Sequence, residues 1–272
     1  VRRSLWGLLL AVPLTALGQG KDAKAAAPTT PPAAEAPRAT SAPGINWEGQ
    51  VLRATGSGAP DLKAANPAQA RLGAERAAKL DAFRNLLEQA KGIQVSAGRT
   101  VGDEWARDEV KGRVEGAIRG YKVVARRYFS DSGVELDVEV PLAALSAALI
   151  PAQDVAIVLN AEGAKKYTGL VVDARGLGLK PVLSPRLVDA AGKPLYAATV
   201  LTDEARGATG VAAWYESLEA ARKAALVGDK PLVVKAAQVQ GSDLVLNAEG
   251  ARALTEADMR FLAEGRVAIV TQ

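Results

Sequence analysis

The sequence predicts an α/β (α+β) protein of two small domains, each with helices packed on a mixed sheet, behind a signal peptide and a disordered linker. Three observations carry this reading. One long helical pattern at residues 67–92, PAQARLGAERAAKLDAFRNLLEQAKG, is flanked by short runs that read as strands. Val134, Leu136, Val138 and Val140 alternate with Glu135, Asp137 and Glu139, which marks a strand with one dry and one wet face. A chain of 272 residues, 49% of them apolar, suggests two cores more readily than one.

Residues 1–18, VRRSLWGLLLAVPLTALG, have a basic start, an apolar run and a small-x-small end at Ala16, Leu17 and Gly18. That is the pattern of a secretory signal peptide. The run is shorter than the ~20 residues of a spanning helix. Cleavage is therefore expected in preference to an uncleaved anchor, with no transmembrane segment in the mature chain and a periplasmic or secreted location. Residues 19–44 are rich in Ala, Pro and Thr with almost no large apolar side chain, so they read as an extended tether.

In the first domain, residues 45–142, the long helix has Asn66 as N-cap, Pro67 at its first position and Gln69 placed to close a capping box. Leu72, Arg76, Leu80, Phe83, Leu87 and Ala90 recur at helical spacing and are expected to face the core, widened by Ala70, Ala74, Ala77 and Ala78. Arg76 within that stripe reads as a snorkelling side chain or as a buried, paired arginine. Gly92 stops the helix. Before it, residues 46–54 read as a strand ending in a turn at Gly56, Ser57, Gly58, Ala59 and Pro60. Neither a Gly-Lys-Ser/Thr nor a full dinucleotide fingerprint comes after it, so a turn is expected there and not a phosphate loop. After the helix come a strand at 93–97 and a second helix at 103–118 with Ala106, Val110, Val114 and Ala117 on one face. A hairpin of 121–129 with 134–140 closes the domain.

Three of these segments, ATGSG at 54–58, ERAAKLDAFRNLLEQAKGIQV at 75–95 and IRGYKVV at 118–124, give a resemblance. Together they resemble the N-terminal domain of the flagellar assembly protein T family and a related family of small outer-membrane lipoproteins, over about residues 47–142. The resemblance implies a small α/β module that binds or assembles in the envelope without enzymatic activity. Its partners would be other envelope or flagellar proteins, self-association included. The lipoprotein relatives carry a cysteine at the cleavage site; here Gln19 comes after Gly18 and the chain has no cysteine, so a soluble exported protein is expected.

The second domain, residues 143–272, is assigned to no family from its residues. A connector at 141–153 reads as helical over 142–149. Strands are expected at 155–159, 168–174, 195–200, 231–239, 242–246 and 266–270, and helices at 212–226 and 255–263, the latter capped by Thr255 with Asp258 at its third position. VLNAEGA occurs at both 158–164 and 245–251, which reads as a shared strand-to-helix junction capped by asparagine or as a duplication.

The chain also lacks histidine, which excludes Ser-His-Asp and Cys-His machinery and any histidine-ligated zinc or iron. No enzymatic activity and no cofactor are expected. Of the formal charge of +4, two units are Arg2 and Arg3, which leaves +2, short of the footprint of a nucleic-acid binder. The candidate interaction site is YTGLVVDARGLGLKPVLSPR, residues 167–186. There Asp173, Arg175, Gly176, Gly178, Lys180 and Arg186 form a glycine loop with three cations that could converge on a carboxylate-bearing partner or a polyanionic surface. Asp173 beside Arg175 reads equally as a local ion pair pinning the turn. The expected function is assembly or interaction in the bacterial envelope, flagellum-associated in the version the resemblance implies. The alternatives are a periplasmic ligand- or glycan-binding module and a hydrolase working through Asp or Glu. Trp47, Trp105 and Trp214 are scattered along the sequence, which disfavours a stacking platform for sugars.

Overall fold

The computed structural model describes residues 43–149 and 157–272. The expected signal peptide and nearly all of the expected linker lie outside the described residues, as do the first two residues of the strand expected at 155–159; residues 157–159 are in no strand. The chain is an α/β protein, its described residues belonging to one compact unit with helices on two larger sheets and a separate two-stranded one.

The first half runs β1 (Gly44–Asn46), β2 (Val51–Gly58), α1 (Pro67–Lys91), β3 (Gln94–Ser96), β4 (Arg99–Thr100), α2 (Val101–Glu104), α3 (Asp108–Arg119), β5 (Lys122–Tyr128), β6 (Val134–Pro141) and α4 (Leu142–Leu149). Its main sheet, in the order β1-β2-β6-β5, is antiparallel throughout, and β3 pairs apart from it with β4. The alternation in β6 holds: Val134, Leu136, Val138 and Val140 are buried. On the other face Arg127 reaches Asp137 through two N–H groups at 2.6 and 2.7 Å, and Thr55 Oγ1 donates to the same carboxylate at 2.8 Å.

The long helix forms as expected, with Asn66 Oδ1 accepting from the Gln69 amide at 2.9 Å, but the capping box does not close as written. Gln69 Oε1 accepts from the amide of Ala65, one residue earlier than the cap. The buried face is only partly the expected one. It consists of Ala70, Ala74, Ala78, Ala82, Leu86 and Ala90, four of them expected, and Phe83 and Leu87 pack partly buried at its side, while Leu72 and Leu80 are 60% and 62% exposed and Arg76 and Ala77 face solvent. The physical reason lies in β2. The first three residues of the expected glycine turn, Gly56, Ser57 and Gly58, are strand, and a Cβ on Gly56 would sit 2.3 Å from the Ala78 carbonyl oxygen. Helix and strand touch backbone to backbone, so only alanine on one and glycine on the other fit; leucines at that seam would hold them apart. The helix expected at 103–118 is broken in two. Arg107 is extended (φ −96°, ψ 115°), and Val110, Val114 and Ile118 form the inner face with Ala117 partly buried beside them, while Ala106 is exposed.

The second half runs β7 (Gly169–Asp173), β8 (Arg186–Val188), β9 (Pro194–Tyr196), a 3-10 turn (Ala198–Val200), α5 (Asp203–Ala208), β10 (Ala213–Tyr215), α6 (Leu218–Lys223), β11 (Pro231–Gln240), β12 (Asp243–Leu246), α7 (Ala248–Thr255), α8 (Arg260–Ala263) and β13 (Val267–Val270). The mixed sheet has the order β10-β13-β7-β11-β12-β8-β9, and β10, β13, β7 and β11 are parallel. Central β7 is buried on both sides. Leu170 and Val172 enter one core with Trp214 and Ile269; Val171 enters another with Ala221 and Ala268. That explains its unbroken apolar run.

The helix expected at 212–226 is strand β10 followed by α6. Ala213 and Trp214 are both buried, and Ser217 starts the helix only afterwards. The helix expected at 255–263 is likewise displaced. Thr255 ends α7, whose cap is Asn247, accepting from the Gly250 amide at 2.8 Å. Asp258 caps nothing at a third position; it accepts from Arg260 Nε and Lys166 Nζ at 2.9 Å each. The asparagine-capped junction thus exists in the second copy of VLNAEGA. In the first copy, Asn160 Oδ1 accepts from the Glu162 amide, and its own amide donates to Thr255 O at 3.0 Å. No helix starts there, and the first copy docks on the end of the second copy's helix.

Candidate functional site: an arginine cleft between the two halves

The halves are joined by main chain. The Leu183 amide donates to Gln94 O at 2.9 Å and the Ser184 amide to Val95 O at 3.0 Å, so residues 183–184 run along β3. Beside this junction opens a cleft of about 840 Å³ between β3, β4 and α2 on one side and the start of β8, the 3-10 turn and the β11–β12 turn on the other.

Three guanidinium groups line it. Arg99, on β4, meets one oxygen of Glu104 at 2.6 Å, and Arg107, just after α2, meets the other. Arg186, opening β8, donates through Nε to Asp243 Oδ1 at 2.8 Å and through Nη2 to the second oxygen. All three arginine side chains are more than half exposed, whereas Glu104 is buried. The third carboxylate of the cleft, Asp103, accepts from the Thr100 amide at 2.7 Å and from the Thr100 hydroxyl at 2.8 Å; these bonds hold it below the usual carboxylate range. The Arg186 guanidinium is held above its ordinary value by its bonds to Asp243. Ser184, Ser242 and Gln240 add polar groups, and the wall contains the Thr199 hydroxyl, buried without a hydrogen-bond partner.

Three arginines face three carboxylates, so the long-range field of the cleft is small. Each guanidinium has five N–H donors and its carboxylate occupies only part of them, so the open edges remain for a second planar acceptor. Short-range, geometrically selective capture of a carboxylate suits this arrangement. Among the described residues no group of acids is placed to hold a metal ion.

The sequence-predicted site is dispersed. Asp173 ends β7 and binds Arg175 through Nε at 2.8 Å, Nη2 at 2.7 Å and the backbone amide at 3.2 Å, which is the local ion pair. Arg175, with Lys235 on β11 contributing less, holds Asp173 below its ordinary value. Gly176 (φ 76°) and Gly178 (φ 68°) make the left-handed turns after it, exposed to solvent. Lys180 lies in another pocket, beside Trp214, and only Arg186 reaches the cleft. The three cations do not share a rim, because Pro181 and Pro185 do not fold the chain back. Val182 and Leu183 between them are buried, and the segment leaves along β3. Arg99, Glu104 and Arg107 were invisible as partners of Arg186 because they come from the other half. Their one local signal is RTVGDEWAR, a threonine-aspartate capping box with arginines on both sides of a glutamate.

Comparison with known proteins bears on the second half. Residues 169–272 match a family model described as Treponema pallidum Tp0624, second domain. The matched stretch is under half of the chain. It begins at β7 and includes Arg186 and Asp243 of the cleft, but neither Arg99 nor Arg107. No curated protein matches the chain.

Proposed function

We propose that this is an exported, non-enzymatic protein of the bacterial envelope that works in assembly by capturing a partner, with the arginine cleft as the surface that takes a carboxylate-bearing group. The observation that carries the reading is the meeting of Arg99, Arg107 and Arg186, from both halves, at one cleft whose own carboxylates are already bound. Proton transfer in catalysis favours a group whose pKa lies near the working pH. The chain has no histidine, and donors push Asp103, Asp137, Asp173 and Asp258 away from that range, to below their ordinary values. Export rests on residues 1–18, and a flagellum-associated role rests on the segments at 54–58, 75–95 and 118–124.

Fractionation with N-terminal sequencing tests export, and the mature chain should begin at or near Gln19. Co-purification from envelope extract then tests capture. Partners held by the native chain at low salt should be lost from the Arg99→Ala/Arg107→Ala/Arg186→Ala variant. A full-length cytoplasmic product overturns the envelope reading; identical co-purification by the variant overturns the cleft.

A further inference from the structure

A second pocket, about 640 Å³ in volume, opens where three parallel strands end. Strands β7, β13 and β10 run in the same direction, and the loops leaving their carboxyl ends line the pocket with residues 179–181, Thr271 and Glu216. In open sheets of parallel strands, ligands are taken at these carboxyl ends, where the loops diverge. The turn after β1 closes the remaining side with Trp47 and Glu48.

The walls are aromatic, and of the three charged side chains lining them two, Glu48 and Glu216, are acidic and one, Lys180, is basic. Trp47 stands edge-on to Trp214 with ring centroids 6.4 Å apart. The Trp214 indole N–H donates to Val182 O at 3.1 Å, so that ring is fixed and has no donor left for a ligand. Tyr215 is half-buried and lines the pocket together with Glu48, and its hydroxyl is pushed above its ordinary value, first by burial and then by the charge of Glu48. Among the described residues neither Glu48 nor Glu216 has an ion-pair partner, and Lys180, the pocket's lysine, bridges to neither.

Two carboxylates without an ion-pair partner among the described residues disfavour an anion and leave a neutral apolar ligand with no use for them. A primary ammonium on an apolar stem satisfies both features: the stem lies against Trp47 and Tyr215, the charge meets the glutamates, and the ring faces add cation–π attraction. We propose that this pocket binds a lysine-like primary amine, its ammonium held by Glu48 and Glu216 and its stem by Trp47 and Tyr215. The pocket's chemistry is opposite to that of the arginine cleft, and the proposal does not depend on the cleft's role.

The test titrates the full chain with Nα-acetyl-lysine methylamide and with the same compound acetylated at Nε, followed by tryptophan fluorescence and calorimetry. The free amine should bind, and the Nε-acetylated form should bind about tenfold more weakly or worse. Glu48→Gln/Glu216→Gln, two exposed positions whose change leaves the fold intact, should weaken amine binding by a similar factor. Lys180→Met, which removes a competing cation, should strengthen it. Absence of binding at millimolar amine, equal binding of the two compounds, or native affinity in the double glutamine variant each overturns the proposal.

Discussion

Gly58 on β2 lies so close to Ala74 on α1 that a Cβ on the glycine would sit 1.9 Å from the Ala74 carbonyl oxygen. The obstructing atom is backbone in the middle of a long helix, and it cannot rotate away. Gly58→Ala should therefore destabilise the protein by about 1–3 kcal/mol or more, the usual range for overpacking. Leu80→Ala, on the opposite side of the same helix, should stay within about 0.5 kcal/mol, as surface changes do. Urea unfolding of the two variants checks the pair. A larger loss at Leu80 than at Gly58 would show that the leucine face is the buried one.

Tyr196 is fully buried, and its hydroxyl donates to Val211 O at 2.6 Å. Burial pushes that hydroxyl far above the ordinary tyrosine value. Above pH ~10 the unfolded chain loses a proton that the folded chain keeps, so stability falls as pH rises past that point. Tyr196→Phe should abolish this part of the alkaline loss. At neutral pH it should cost about 1–3 kcal/mol by leaving the Val211 carbonyl unpaired. Thermal melts of both proteins between pH 8 and pH 11 measure the effect.

Acid should act through the aspartates. Asp137 is held below its ordinary value first by Arg127 and then by Thr55, Asp173 by Arg175, and Asp258 by Arg260 and Lys166. Each contributes stability that is present above pH ~4, where the unfolded carboxyl is ionised, and lost as pH falls through the folded value. With no histidine in the chain, the melting temperature should stay flat from pH ~5 to ~8 and drop below ~4. Asp137→Asn should cost about 1 kcal/mol at neutral pH, because Arg127 remains partly solvated, and should make the acid limb shallower. An unchanged acid limb in that variant would show that the Asp137 ladder is not what protonation disrupts.

Alternation and the asparagine caps at Asn66 and Asn247 were legible in the sequence; packing distance was not. The β5–β6 hairpin, α1 with its Asn66 cap, and strands β7, β11, β12 and β13 arise from local pattern, since each needs only period, turn chemistry and a buried face. The inward face of α1 is not legible locally, because leucine spacing competes with alanine spacing on the same helix. The choice belongs to Gly56 and Gly58, which are far in sequence from the alanines they touch. Ala213 and Trp214 read as helix because a three-residue strand shows no period. The cleft was out of reach for a related reason. Arg186 carries no mark that its neighbours are Arg99 and Arg107, since a main-chain junction at Gln94 and Val95 brings them together.

The cleft can be separated into structure and capture at Glu104. Its side chain is 10% exposed, and its two oxygens serve Arg99 and Arg107, whose own side chains are 61% and 58% exposed. Glu104→Gln removes the charge but keeps the shape, and both guanidinium groups can turn to water, so the cost should be about 1 kcal/mol. Arg99→Ala/Arg107→Ala does the reverse: it leaves a buried carboxylate with no cation. That variant should lose about 2–3 kcal/mol, less than a fully buried pair would because solvent reaches this rim. Stability therefore ranks native, Glu104→Gln, then the double alanine variant. Capture of a glutamate-rich peptide at low salt should rank differently. Glu104→Gln frees donors and removes a competing negative charge, so it should bind more tightly than native, while the double variant should bind least. Denaturation and titration on the same three proteins give both orders. Weaker peptide binding by Glu104→Gln would mean that Glu104 orients the two guanidinium groups and is needed for whatever they hold.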